Sequence, residues 1–282
     1  MNTNGLSGLL ARIRPASPQR RQEAPPATAT EQMDASAVGL RDMILSGWFN
    51  EATDEAAPGF RISAEDVVVD VGAGDGGVAS FCARRARETI LIDQDADRLQ
   101  RAVERLHGQG CERVRGAPGD AARLAVPDAA ASRVICTEVL EHVDDPGEVM
   151  RELLRIGRPG ALYLLSVPNA AAERLLTHVA PRDIYFAKPN HVRIFAPEAF
   201  TKLVEDAGLS IETRSSYGFF WSLYWTFFWE SGVEFGAGSS PLLDAWVRTY
   251  AEILQAPDAP RIRAALDELA PRSDVIVARK PA

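Results

Sequence analysis

Residues 70–77 read Asp-Val-Gly-Ala-Gly-Asp-Gly-Gly and follow a run of valines. Glycine at this density serves a tight turn out of a strand, where the backbone must approach a ligand closely. A helix starting just beyond offers unpaired N–H groups to an anion such as a carboxylate or phosphate. Further polar groups recur downstream. Asp93 closes Ile90-Leu91-Ile92, where a carboxylate can accept bonds from both hydroxyls of a ribose. Asp120 lies in Gly119-Asp120-Ala121, and Glu138 opens Glu138-Val139-Leu140-Glu141-His142. Each acid taken singly reads as a solvated loop residue, and a glycine turn alone can exist without a ligand. Four polar positions at the C-terminal ends of four successive strands read differently, because open α/β sheets bind ligands there. The looser pattern Gly72-x-Gly74-x-x-Gly77 also satisfies the dinucleotide fingerprint, so the glycines alone leave an NAD(P)-dependent oxidoreductase open.

Two histidines fall near these strand ends, His142 and the His191 of Pro189-Asn190-His191-Val192. An imidazole with an unperturbed pKa near ~6.5 suits either as a base. His107 and His178 read as surface residues. The same stretch offers a sharper option: Glu138, Glu141, His142 and His191 could hold a divalent cation that binds hydroxyl oxygens and lowers their pKa. The plainer reading is a post-strand segment without metal.

From Tyr217 to Trp229 the chain reads YGFFWSLYWTFFW, nine aromatics in thirteen residues. Trp221, Trp225 and Trp229 recur on one helical face. Large aromatics build cores and seams, and they also wall pockets for apolar acceptors. Trp221, Tyr224 and Trp225 are the candidate acceptor contacts, with room for a peripheral membrane contact.

Elements able to position these residues alternate from residue 66. The spacing predicts strands over Asp66–Val71, Thr89–Ile92, Arg113–Gly116, Arg133–Cys136, Ala161–Val167, Leu209–Thr213 and Asp274–Ala278. Helices are expected over Val78–Arg87, Ala96–His107, Gly147–Ile156 and Pro197–Ala207. Apolar strands alternating with helices predict a parallel sheet covered on both faces. Residues 31–58 read as an N-terminal helical cover, with a helix ending at Gly47 and Trp48 and Phe49 packing beyond it. Residues 216–272 form an insertion between the sixth and seventh strands, carrying the aromatic segment and helices over Leu242–Leu254 and Pro260–Leu269. Residues 31–282 thus read as one domain. Residues 1–30, with four prolines and no aromatic, read as a disordered tail.

Taken in order, VVVDVGAGDGG, LIDQD, GDAARLAVPDAAASRVICTEVLEHV and GRPGALYLLSVPN resemble the class I S-adenosylmethionine-dependent methyltransferases, nearest the ubiquinone-biosynthesis-like (type 11) branch. The resemblance spans about residues 60–215 plus the final strand. It implies a Rossmann-like, doubly wound seven-stranded sheet with an antiparallel last strand. It also implies S-adenosylmethionine as cofactor, with Asp70, Gly72, Gly74 and Gly76 holding the methionine moiety. Asp93 would bind the ribose, Asp120 and Ala121 would flank the adenine, and Glu138 would line the pocket. Asp75 departs from the pattern and adds negative charge beside the loop. The Glu138, Glu141, His142 and His191 set also resembles small-RNA terminal 2′-O-methyltransferases and eukaryotic ubiquinone-pathway O-methyltransferases, which implies Mg2+.

The expected reaction is in-line methyl transfer to an oxygen of a small hydrophobic or aromatic metabolite, with His142 or His191 as base. A cofactor-binding protein without catalysis is the alternative from another class. A net charge of −8 with a pI near 5.2 disfavours broad contact with nucleic-acid phosphates. The fourth strand runs into Thr-Glu-Val-Leu, not the Asn/Asp-Pro-Pro-Tyr signature of methyltransferases acting on nucleobase amino groups. No apolar run approaches the ~20 residues of a bilayer span, and no secretory leader pattern is present. Three cysteines without a CxxC pair suit a reducing compartment, so a cytoplasmic protein is expected.

Overall fold

In the computed structural model, which describes residues 34–234 and 238–282, Asp34 caps the first helix, α1 (Ala35–Leu45), by accepting from the Ser36 amide at 2.9 Å. The disordered tail expected over residues 1–30 lies outside the described residues. After α1 comes a small hairpin, β1 (Glu55–Ala57) and β2 (Phe60–Arg61), which the apolar pattern did not announce because its strands are so short. Its turn is Pro58-Gly59, with Gly59 at φ +85°. Trp48 is buried as expected and packs its ring 4.7 Å from that of Tyr217.

The main sheet begins with β3 (Val67–Val71), followed by α2 (Gly77–Ala83), β4 (Glu88–Ile92), α3 (Ala96–Gly108), β5 (Val114–Gly116), β6 (Ala131–Thr137), α4 (Pro146–Ile156) and β7 (Gly157–Pro168). Then come α5 (Ala170–Val179), the short α6 (Arg182–Tyr185), α7 (Pro197–Asp206) and β8 (Ser210–Tyr217). The insertion holds α8 (Phe219–Glu230), α9 (Pro241–Ile253) and α10 (Ala259–Leu269), and β9 (Ser273–Arg279) completes the sheet. The seven strands lie in the order β5-β4-β3-β6-β7-β9-β8. β4, β5, β6 and β7 run parallel to β3, and β9 runs antiparallel between β7 and β8. Strand order reverses direction between β3 and β6, which opens the ligand crevice of such folds beyond their C-terminal ends.

Successive strand residues face opposite sides, and each side has its own core. Val69, Val134 and Leu165 pack with Met150 and Leu153 of α4 and Phe200 of α7. Val68, Ile135 and Leu164 pack on the other side with Phe60, Phe81 and Trp48. Burial on both faces is why these strands read as continuous apolar runs.

Several boundaries differ from the expected ones, β7 for instance starting at Gly157, before the expected Ala161. β8 runs on to Tyr217, past the expected Thr213, because it is an edge strand whose Glu212–Ser216 stretch is exposed and carries no apolar alternation. α2 stops at Ala83, where the chain turns so that the Arg87 amide donates to Asp66 O. α5 was not expected; the Asn169 side chain starts it by accepting from the Ala171 amide at 2.8 Å.

The aromatic segment is helical, as its spacing implied. Phe220 of α8 is buried against Trp246 and Tyr250 of α9, with ring centroids 6.1 and 5.2 Å away. Trp221 lies across Gly39 of α1, where a Cβ would overlap the indole. α1 is therefore a cover over this helical layer.

Candidate active site

Glycine at position 72 is a steric requirement. Its φ is +72°, and a Cβ there would collide with the Val139 side chain of the loop after β6. The turn is tied down by its neighbours: the Gly72 and Ala73 amides donate to Ile92 O at 2.8 and 3.0 Å. Asp93, at the end of β4, accepts from the Gly74 amide at 2.8 Å and from the Asp95 amide at 3.0 Å. Asp75 pairs with Arg98 through Nε at 3.1 Å and Nη2 at 2.9 Å, and this hydrogen bonding holds its carboxyl below the usual range. The extra acid of the loop is thus matched by a cation.

These groups face a cleft of about 670 Å³ beyond the ends of β3, β4 and β6. Gly72, Asp93, Asp120, Ala121, Glu138 and His142 line it, so six of the sequence candidates meet in one wall. Arg98 and Lys188 also line it, and neither was anticipated. Asp70 is buried beneath the turn, only 3% exposed. Burial and the nearby charge of Asp93 push its carboxyl up to about 7. Gly74 and Gly76 shape the turn at φ +53° and +71° and stand outside the cleft lining, and Gly76 is the residue that starts α2.

Glu138 sits at φ +55°, a left-handed conformation that costs a non-glycine residue about 1 kcal/mol or more. Ser166 of β7 anchors it there, its hydroxyl donating to Oε1 at 2.8 Å. Burial raises the Glu138 carboxyl, while Arg272 and Ser166 pull it back. Glu141 is 1% exposed, and neither carboxyl oxygen has a hydrogen-bond partner among the described residues. Burial and then the Glu138 charge push its carboxyl well above the ordinary range.

His142 and His191 meet edge-on, ring centroids 4.8 Å apart. His142 Nδ1 donates to Pro189 O at 3.1 Å, so its Nε2 keeps the lone pair in the neutral ring and lies 3.7 Å from Glu141 Oε1. Burial and then the charge of His191 lower the His142 pKa, which keeps the ring neutral. One donor atom each from Glu141, His142 and His191 falls within 4.8 Å of the others.

Behind His191 stands a group of residues that the sequence motifs did not reveal. Glu173 of α5 is buried and accepts from His191 Nδ1 at 2.8 Å, the Tyr185 hydroxyl at 2.9 Å and Arg272 Nη1 at 2.8 Å. Burial works to raise the Glu173 carboxyl, but His191 and Arg272 hold it below the usual value and hence ionised.

The three acceptor candidates are not brought to the cleft. Trp221 packs on Gly39, Trp225 stacks on Trp221 at 6.2 Å, and Tyr224 packs beside Phe220 at 5.8 Å. Even helical spacing of large rings served packing between helices there. The aromatic that does approach the site is Trp229, whose ring lies 5.9 Å from that of Tyr185, itself 4.7 Å from His191.

A glycine turn with carboxylates at the ends of successive parallel strands, in this strand order, defines an α/β protein built to hold a nucleoside-containing cofactor. The chain belongs to the S-adenosylmethionine-dependent methyltransferases: a family model described as a methyltransferase domain matches residues 44–214. It is 32% identical over 152 residues to a protein of Mycolicibacterium smegmatis named a probable S-adenosylmethionine-dependent methyltransferase, covering 54% of each chain. It is 30% identical over 163 residues to a ubiquinone biosynthesis O-methyltransferase of Chromobacterium violaceum, covering 54% of this chain and 68% of that one. The match thus spans about half the length of the mycobacterial relative. In fold it is similar to the YcgJ protein of Bacillus subtilis, with a TM-score of 0.52 at 19% identity over 88% of this chain and 100% of that one. The cyclase SpnF is similar too, with a TM-score of 0.54 at 19% identity over 88% and 80% of the two chains. The family decides between the two readings of the glycine turn, against the dinucleotide one.

Proposed function

We propose that this chain methylates an oxygen of a small apolar or aromatic acceptor, with His142 as the base. The observation that carries this reading is the placement of His142 in the same cleft wall as Asp93, Asp120 and Glu138, with Nδ1 committed to Pro189 and Nε2 left as the basic atom. Gly72, Asp93, Asp120, Ala121 and Glu138 would hold S-adenosylmethionine, with Asp70, Gly74 and Gly76 shaping the turn beneath it. When bound, it supplies an electrophilic methyl group on a positively charged sulfur. The acidic wall suits that positive charge, and the buried surroundings of Glu138 strengthen the attraction. His142 Nε2 takes the proton of the acceptor hydroxyl, and the neutral ring is ready to do so at neutral pH. Transfer of label from methyl-labelled S-adenosylmethionine to a metabolite of a cell extract tests the reading; cofactor binding without transfer to any acceptor would favour the non-catalytic alternative.

A second reading is favoured by one observation, the two unpartnered carboxyl oxygens of Glu141 beside His142 and His191. Buried polar atoms without partners are rare, and this donor set fits a divalent cation. Glu141, His142 and His191 would hold it, while Glu138, the fourth member of the expected set, falls outside this cluster. The ion would bring an acceptor hydroxyl toward ionisation. Two imidazoles and a carboxylate suit a transition ion better than magnesium, which prefers oxygen donors. Titration calorimetry with Mn2+ and Mg2+ is expected to show one site that Glu141→Gln abolishes. Full activity after exhaustive chelation, unchanged by either ion, would sink this reading.

A further inference from the structure

Glu173 is a buried carboxylate that takes three side-chain donors and has no part in the cofactor wall. It projects from α5, accepts from Tyr185 of α6 and from Arg272 at the entrance to β9, and turns its other oxygen, Oε2, to His191 Nδ1 at 2.8 Å. A carboxylate oxygen that faces a ring nitrogen accepts, so His191 Nδ1 carries a proton whatever the charge of the ring, and whenever the ring is neutral its lone pair is on Nε2. Arg272 and Tyr185 both engage Oε1, which fixes the rotation of the carboxylate and leaves Oε2 to the imidazole. The Arg272 Nη2 donates in turn to the Tyr185 hydroxyl at 3.3 Å, closing the group on itself. Three separate elements thus converge on one ring nitrogen, more than is needed to pack a histidine that is already 7% exposed.

We propose that Glu173 is a positioning residue of the reaction, holding His191 in the tautomer with its lone pair on Nε2, and that Arg272 and Tyr185 keep Glu173 in place for this. The activity part of the proposal rests on the methyltransferase reading above; the tautomer does not. In Glu173→Gln the amide oxygen takes over the contacts to Arg272 and Tyr185. The amide NH2 then faces His191, whose Nδ1 must become an acceptor, and the proton moves to Nε2.

The test is long-range proton–nitrogen NMR of the histidine rings, with the His191 signals assigned by their loss in His191→Asn. With spectra taken at rising pH until the ring is neutral, the wild type is expected to show the Nδ1–H tautomer of His191 and Glu173→Gln the Nε2–H tautomer. With that flip, kcat should fall about 10-fold or more, because the ring packed edge-on against the base His142 then presents an N–H where it held a lone pair, while S-adenosylhomocysteine affinity stays within about twofold. A wild-type ring protonated on Nε2, or a flipped ring with kcat unchanged, overturns the proposal. Should Glu173→Gln fail to fold, Glu173→Asp carries the test: the retained carboxylate is expected to preserve the Nδ1–H tautomer, and an Nε2–H ring there overturns it. A chain that binds no S-adenosylhomocysteine would instead overturn the proposed function and leave the spectrum as evidence on Glu173.

Discussion

At the scale of single residues, His142 and Asp70 make opposite uses of burial. In His142 burial favours the neutral base, so His142→Gln is expected to lower kcat by about 10²–10⁴ while the KM for S-adenosylmethionine moves less than about twofold; steady-state kinetics checks both. In Asp70 burial favours the neutral acid. Its carboxyl is raised from 3.8 to about 7, so between those values the folded chain binds a proton that the unfolded chain has released. The cofactor-free protein should therefore lose stability as pH climbs from about 4 to about 7, and Asp70→Asn should flatten that slope. Asp42, raised to about 6, adds a smaller slope of the same sign that remains in the variant. Thermal melts across pH measure both. The carboxylates of the cleft were legible beforehand because Asp93, Asp120 and Glu138 each follow a strand within a few residues, and strands can be counted along the chain. Glu173, Tyr185 and Arg272 were not. They are single residues on three elements whose meeting is set by tertiary packing, and no local spacing links positions 173, 185 and 272.

At the scale of elements, α1 and α8 meet at a glycine that helix propensity alone would replace. Gly39→Ala in an isolated helix gains about 1 kcal/mol. Here the added methyl overlaps the Trp221 indole, and overpacking of this kind costs about 1–3 kcal/mol. The clash wins: Gly39→Ala should lower Tm, and pairing it with Trp221→Leu should restore part of the loss, as a double-mutant thermal melt would show. The same contact explains why the aromatic run was legible as a helix while what its face packs against was not. Period reports which residues share a face, while the identity of whatever that face touches depends on α1 and α9. The buried strands showed through as valine and leucine runs, whereas β8, a polar edge, and α5, a helix started by one asparagine, had no such signal.

At the scale of the whole molecule, strand order carries the strongest consequence, because the crevice between β3 and β6 couples cofactor occupancy to the integrity of the sheet. A ligand at 100 times its Kd stabilises the fold by about 2.7 kcal/mol. For a chain of this size that is a rise in Tm of about 5 °C or more. S-adenosylhomocysteine should produce such a rise and NADH none; a rise with NADH alone would reverse the family-based choice of cofactor. The arrangement of indoles gives the protein an optical signature as well. Trp221, Trp225, Trp229 and Trp246 lie in α8 and α9, while Trp48 is buried against the sheet. Four of the five indoles that shape intrinsic fluorescence thus sit in the helical layer, and Trp229, with its ring 5.9 Å from that of Tyr185, is placed to report on events around His191.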